Sequence, residues 1–125
     1  LFVSGRLVAG HKRGREIGFP TANIAVRTEV LPADGIYATL IQLADRRLLS
    51  VSSIGVNPTF GDGPRTVESY IFNFAEDIYD EAAQLSFVRR IRDEKKFTSV
   101  EALTRQINQD VSVAELIFRE LRLRG

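Results

Sequence analysis

Thr21 and Asn23 each carry a neutral side-chain oxygen, and they stand two residues apart in Phe19-Pro20-Thr21-Ala22-Asn23. On an extended chain that spacing projects both from one face. Magnesium takes oxygen ligands and usually keeps several waters and substrate phosphates in its shell. Two neutral oxygens can join such a shell without adding charge to it. Pro20 lacks a backbone donor and biases Phe19 towards an extended conformation, which stiffens the approach. Upstream, Gly10, Gly14 and Gly18 are interleaved with His11, Lys12, Arg13 and Arg15, and nothing periodic runs through them, so the stretch reads as a loop. Backbone N–H groups in such a loop can approach phosphates, and Arg15 can add positive charge to the same anion. The competing reading is an ordinary turn in which Thr21 and Asn23 bond their own backbone. Local chemistry alone favours the turn. A Walker A loop is excluded, because G-x-x-x-x-G-K-[ST] is absent.

A second candidate is Glu68, in Thr66-Val67-Glu68-Ser69-Tyr70-Ile71-Phe72-Asn73-Phe74. Alternation puts Val67, Ser69, Ile71 and Asn73 on one face and Glu68, Tyr70, Phe72 and Phe74 on the other. A carboxylate on a largely aromatic face can serve as a general base. A rim glutamate reaching solvent is the more common arrangement for a lone Glu. Residues 89–96 are a dense charge run ending at Phe97. Such a run usually makes a solvated turn, with Phe97 packing near the start of a helix. Phe97 can alternatively form an aromatic wall beside a ligand ring. His11 is the single histidine and has no visible partner for catalysis.

The elements that must hold these residues are mostly strands. Phe2 to Ala9, Ile36 to Leu43, Leu48 to Gly55, Thr66 to Phe74 and Ala83 to Arg92 all read as strands. Ala44 to Arg47 reads as a hairpin turn, and Leu31-Pro32-Ala33-Asp34-Gly35 is a turn signature. The period then changes. Val100, Leu103, Ile107, Val111, Ala114, Phe118 and Leu121 fall at steps of three or four, one face of a helix. Thr98 with Glu101 forms a capping box that starts this helix near Ser99, and Asp110-Val111-Ser112 offers a second cap where it can break. Strands followed by one terminal helix predict an antiparallel barrel with a helix packed on it.

At 125 residues the chain is one domain, able to bury about two-thirds of the surface exposed when unfolded. Without cysteine it has no disulfides or thiolate metal sites, which fits a reducing cytoplasm. Seventeen basic residues against sixteen acidic ones leave a net charge of +1, so neither nucleic acid nor an anionic membrane is expected as a partner. No apolar run approaches the roughly 20 residues of a membrane-spanning helix. The chain begins at Leu1 and contains no methionine, which reads as a piece of a longer protein.

Together these segments resemble the riboflavin kinase family from Gly5 to about Ala114. The resemblance rests on GHKRGREIGFPTANI (10–24), LPADGIYA (31–38), SIGVNPTFG (53–61), TVESYIFNF (66–74) with EDIYD (76–80), and IRDEKKFTSVEALTRQINQD (91–110). It implies a six-stranded antiparallel Greek-key barrel with a C-terminal helix over residues 1–125. It also implies transfer of the γ-phosphate of ATP to the ribityl 5′-hydroxyl of riboflavin, giving FMN and ADP. The alternative is a non-catalytic flavin-binding barrel. By resemblance Thr21 and Asn23 hold Mg2+ and phosphate, and Gly10, Arg15, Ile71, Asn73 and Tyr79 make further nucleotide contacts. Glu68 becomes the catalytic base, and Arg92, Lys95 and Phe97 lie in the flap that holds the flavin. Tyr70, Asn73 and Asp80 depart from the family's usual residues, the first two beside the nucleotide site. The resemblance also implies an N-terminal FMN adenylyltransferase domain in the parent chain.

Overall fold

The computed structural model describes residues 2–9, 21–25, 31–56, 65–72 and 81–124. The strands are β1 (Phe2–Ala9), β2 (Thr21–Ala25), β3 (Gly35–Gln42), β4 (Arg47–Val56), β5 (Arg65–Ile71) and β6 (Ala82–Arg92), and helix α1 (Val100–Glu120) follows them. Neighbours run β1-β2-β5-β4-β3-β6, all antiparallel, and β6 returns to β1 to close the ring. The antiparallel β class with one helix at the C-terminal end is as expected. The expected strands shift by a residue or so at their ends. β2 is a full strand where local chemistry alone favoured a turn; pairing with β1 and β5 draws these residues into the sheet. Beyond Phe72 the expected Thr66–Phe74 strand lies outside the described residues.

Period-two patterning divides the barrel into two apolar layers. The interior holds Val3, Leu7, Ile24, Tyr37, Ile41, Leu43, Ile54, Val67, Ile71, Ala83 and Leu85. Residues one step out of phase, Ile36, Ala38, Val51 and Tyr70, form an outer patch covered by Ile107, Val111, Ala114, Ile117 and Phe118 of α1. Phe72 meets Phe118 edge to face, with centroids 6.1 Å apart. The alternation expected for β5 therefore holds through Phe72: Val67 and Ile71 go inside, Tyr70 and Phe72 outside, under the helix.

Inside the ring runs a chain of hydroxyls. Thr39, Ser50, Ser52 and Ser69 are all fully buried. Thr39 Oγ1 lies 2.7 Å from both Ser50 Oγ and Ser52 Oγ, and Ser52 Oγ lies 2.7 Å from Ser69 Oγ. Ser50 also donates to the Thr39 carbonyl at 3.3 Å. Buried hydroxyls are costly unless each finds a partner, and here they supply one another. Ser52 is the middle link between β3 and β5. Ser52→Ala removes a partner from Thr39 and from Ser69 together. The expected cost is about 1–3 kcal/mol, read as a lower urea midpoint at unchanged slope.

Helix α1 is continuous from Val100 to Glu120. Its N-cap is Ser99 rather than the expected Thr98: Ser99 Oγ accepts from Ala102 N–H at 3.1 Å, and Ala102 has no side-chain acceptor with which to complete a capping box. The expected break at Asp110–Ser112 does not occur. Asp110 is engaged with Arg92 rather than capping a new helix, and Ser112 Oγ donates to the Asn108 carbonyl within the same helix. Leu123 N–H to the Phe118 carbonyl (2.8 Å) and Arg122 N–H to the Arg119 carbonyl (3.1 Å) end the helix in a Schellman motif. Arg122 sits at φ 56° in the position glycine usually fills.

Candidate active site

The closing of the ring brings the two candidate segments side by side. β2 and β5 are distant in sequence, yet they pair with Thr21 opposite Tyr70 and Asn23 opposite Glu68. Directly opposed residues of an antiparallel pair lie about 4.5–5.5 Å apart at Cα. The side chains of Thr21 and Asn23 lie outside the described residues, but their backbone positions do not. Residues 21 and 23 and the candidate base therefore stand at neighbouring register positions on two adjacent strands.

Glu68 is half-buried on the outer face of β5. Tyr70, two residues on and buried under α1, donates its hydroxyl to Glu68 Oε1 at 2.8 Å. An ionised carboxylate accepts about four hydrogen bonds, so this bond fixes the carboxylate while leaving acceptor capacity for a substrate hydroxyl. Tyr70 thus contacts the candidate base, where the sequence reading treated it only as a departure from the family pattern. The available signal was its i+2 spacing from Glu68, which puts both on one face of the strand.

On its other side Glu68 is registered opposite Ser53 of β4. Ser53 Oγ donates to Glu94 Oε1 at 3.3 Å, and the Glu94 carboxyl lies over the backbone of Gly55, where a Cβ would collide with it. Glycine is thus what lets Glu94 close down on β4. Partial burial holds the Glu94 carboxyl above the usual carboxylate value, opposed by the Ser53 hydrogen bond and reinforced by nearby Asp34. A carboxyl raised in the folded state favours its protonated form there. Its contribution to stability is full below the unfolded value and is lost as pH rises through the folded one. Glu94→Gln is therefore expected to flatten the dependence of melting temperature on pH just above the ordinary carboxylate range. Thermal unfolding across that range checks it. Because Glu94 is largely exposed, the change is small.

The expected flavin-side segment begins at the end of β6. Arg92 makes a two-point ion pair with Asp110 of α1, Nε to Oδ1 at 2.9 Å and Nη2 to Oδ2 at 2.7 Å. Lys95 is exposed and Phe97 half-buried. Ile71 is packed in the barrel interior, so only its main chain is presented to a ligand. Gly10, Arg15, Asn73 and Tyr79 lie outside the described residues. The helix-packed side of the barrel thus carries Glu68 with Tyr70, and Glu94 of the 92–97 segment reaches Ser53, the β4 neighbour of Glu68. Among the described residues no group of three or more His, Cys, Asp or Glu could hold a metal. A magnesium site here would use few protein ligands, which suits an ion carried largely by phosphates and water.

A family model described as flavokinase, riboflavin kinase, matches residues 1–118. The bifunctional riboflavin kinase/FMN adenylyltransferase of Haemophilus influenzae is 37% identical over 117 residues, covering 93% of this chain and 38% of that protein. The RNA-binding riboflavin kinase RibR of Bacillus subtilis is 40% identical over 111 residues, covering 88% of this chain and 48% of that one. The solved structure of riboflavin kinase from Trypanosoma brucei superposes with a TM-score of 0.67 at 26% identity, covering 98% of this chain and 79% of that chain. The chain thus spans between about two-fifths and half of the length of these two bacterial relatives. No described helix is long and apolar enough to cross a membrane.

Proposed function

The chain belongs to the riboflavin kinase family, and we propose that it transfers the γ-phosphate of ATP to the 5′-hydroxyl of riboflavin, giving FMN and ADP. The observation that carries this reading is the register of β2 against β5, with Asn23 opposite Glu68 and Thr21 opposite Tyr70. Phosphoryl transfer asks little covalent chemistry of a protein, and positioning with charge stabilisation does most of the work. The site therefore needs a phosphate-holding segment and a proton acceptor within reach of one another, and the adjacency of β2 and β5 supports that reading.

Glu68 accepts the proton of the attacking hydroxyl, and Tyr70 holds its carboxylate in place. Thr21 and Asn23 would hold Mg2+ through their side-chain oxygens, and the ion would supply positive charge to offset that of the phosphates. Arg15 and the backbone N–H groups of residues 10–18 add donors to the same phosphates. Gly10, Asn73 and Tyr79, with the main chain of Ile71, complete the nucleotide contacts. Arg92, Lys95 and Phe97 belong to the flavin side. In this reading the ring is the Greek-key barrel of the family. Non-catalytic flavin binding has no observation in its favour.

The partners that follow are riboflavin and ATP, their products FMN and ADP, and an FMN adenylyltransferase domain elsewhere in the parent chain. RNA binding is named for the Bacillus subtilis relative. For this chain, at a net charge of +1, we propose no nucleic-acid partner. Dependence on ATP and the absence of cysteine suit a cytoplasmic setting. Incubation with riboflavin, ATP and magnesium, followed by chromatography, tests the proposal. FMN and ADP in equal amounts are expected, and flavin binding without ATP consumption would refute it.

A further inference from the structure

Asp110 lies in the apolar stripe of α1 between Ile107 and Val111 and is only 2% exposed. An acid there needs a cation, and Arg92 provides it in the two-point geometry described above. Gln106 adds a donor to Asp110 Oδ1 at 3.1 Å, four residues back on the same helix. The third nitrogen of the Arg92 fork, Nη1, donates to the Asp93 carbonyl at 2.8 Å. Each guanidinium nitrogen therefore has an assigned partner, two from the helix and one from the first residue of the 93–97 segment.

Two irregularities in β6 prepare this contact. Its register against β3 shifts between Ile36 and Tyr37, and again between Ala38 and Thr39. Such bulges bend a strand and re-aim the residues beside them. The first shift leaves Ile91 without a partner in the register and falls immediately before Arg92. Ile91 and Val88, the two residues passed over, pack against the layer beneath α1. The bulged end of β6 thus carries Arg92 to the helix. The other ion pairs around this segment have far more exposed partners. Arg90 pairs with Asp93 at 2.7 Å with side chains 44% and 84% exposed, against 15% and 3% for Arg92 and Asp110. Exposed pairs constrain little, whereas a hydrogen-bonded pair out of water sets geometry.

We propose that Asp110 is a positioning residue: by fixing Arg92 it sets the direction in which residues 93–97 leave β6, and so the placement of Lys95 and Phe97 against riboflavin. This rests on the reading of 92–97 as the flavin side of the site. In it Arg92 anchors the segment, and Lys95 and Phe97 are left to meet the ligand. Glu94, seated over Gly55 beside Ser53, touches β4 from the middle of the same segment.

The test is steady-state kinetics, varying riboflavin and MgATP separately, on the wild-type chain and three variants. Asp110→Asn leaves the Arg92 charge facing a neutral amide. Arg92→Lys keeps the ion pair but loses the fork. Arg92→Met with Asp110→Leu removes the pair while filling its volume, a replacement that is often neutral for stability. The KM for riboflavin is expected to rise about 10- to 100-fold in Asp110→Asn and in the double variant, since small misplacements near a reacting group have effects of that size. The KM for ATP should stay within about twofold, while the double variant melts near wild type. A folded double variant with wild-type KM for riboflavin would overturn the proposal, as would equal rises for both substrates. If none of the variants folds, the pair is a requirement of folding alone and the proposal falls. Quenching of riboflavin fluorescence by the wild-type chain separates the two levels. Binding without FMN formation would sink the kinase reading and still let the variants be compared by affinity. No binding at all would sink both.

Discussion

Replacing Glu68 with alanine is expected to lower kcat for FMN formation by about 10²- to 10⁴-fold, the usual contribution of a positioned general base. The KM for ATP should change little, because the carboxylate meets the attacking hydroxyl and not the nucleotide. Glu68 is half-buried at the surface of β5, and its partner Tyr70 is anchored independently in the layer beneath α1. Truncation should therefore leave the fold intact, as circular dichroism and a melting curve would register. Glu68→Gln sharpens the point. It retains the size of the side chain and can still accept from Tyr70, but it no longer takes a proton efficiently. If the glutamine variant loses as much rate as the alanine one, proton acceptance is the function. If Glu68→Ala turns over near normally, Glu68 is a bystander beside the reacting groups.

The second large effect falls on the metal. Asn23→Ala is expected to reduce kcat/KM for MgATP by about 10- to 100-fold, the range seen when even the supporting groups of a bound metal are removed. It should also move half-maximal activity to higher magnesium. A neutral amide oxygen is a suitable magnesium ligand, and the register puts residue 23 opposite Glu68. Excess magnesium should recover part of the lost rate, because the defect lies in holding the ion rather than in proton transfer. Glu68→Ala should show no such recovery. A magnesium titration on the two variants distinguishes their roles, and an unchanged titration for Asn23→Ala would remove that residue from the metal shell.

Much of the frame was legible because period-two alternation is strong in this chain. The inward and outward residues of β5 up to Phe72 follow directly from it, and so does the apolar stripe of α1. β2 was harder. It has five residues, and Thr21-Ala22-Asn23 is as compatible with a turn as with a strand. Its pairing to β5 is a tertiary fact that no local pattern announces. The N-cap was missed by one residue because Thr98 and Ser99 are chemically equivalent caps.

Asp110 illustrates the other limit. An acid near the middle of a helical stripe reads naturally as a cap for a second segment. The arginine that neutralises it lies 18 residues away at the end of a bulged strand. The inconsistent feature was visible, an acid among Ile107, Val111 and Ala114, but its partner was not. The contact of Tyr70 with Glu68 was missed in a similar way. Comparison with a family pattern marked it as unusual, whereas its spacing from Glu68 already placed the two on one face. Glu94 sits within a charge run that resembles a solvated turn, and the glycine that accommodates it lies on another strand.

The most direct test of the central claim follows the phosphate. The chain is incubated with riboflavin, magnesium and ATP labelled either at the γ- or the α-phosphate, and the flavin products are separated. Label from γ-ATP should appear in FMN, with none from α-ATP, and Glu68→Ala should abolish most of the transfer. Flavin that stays unlabelled with γ-ATP while remaining bound to the protein would contradict the account.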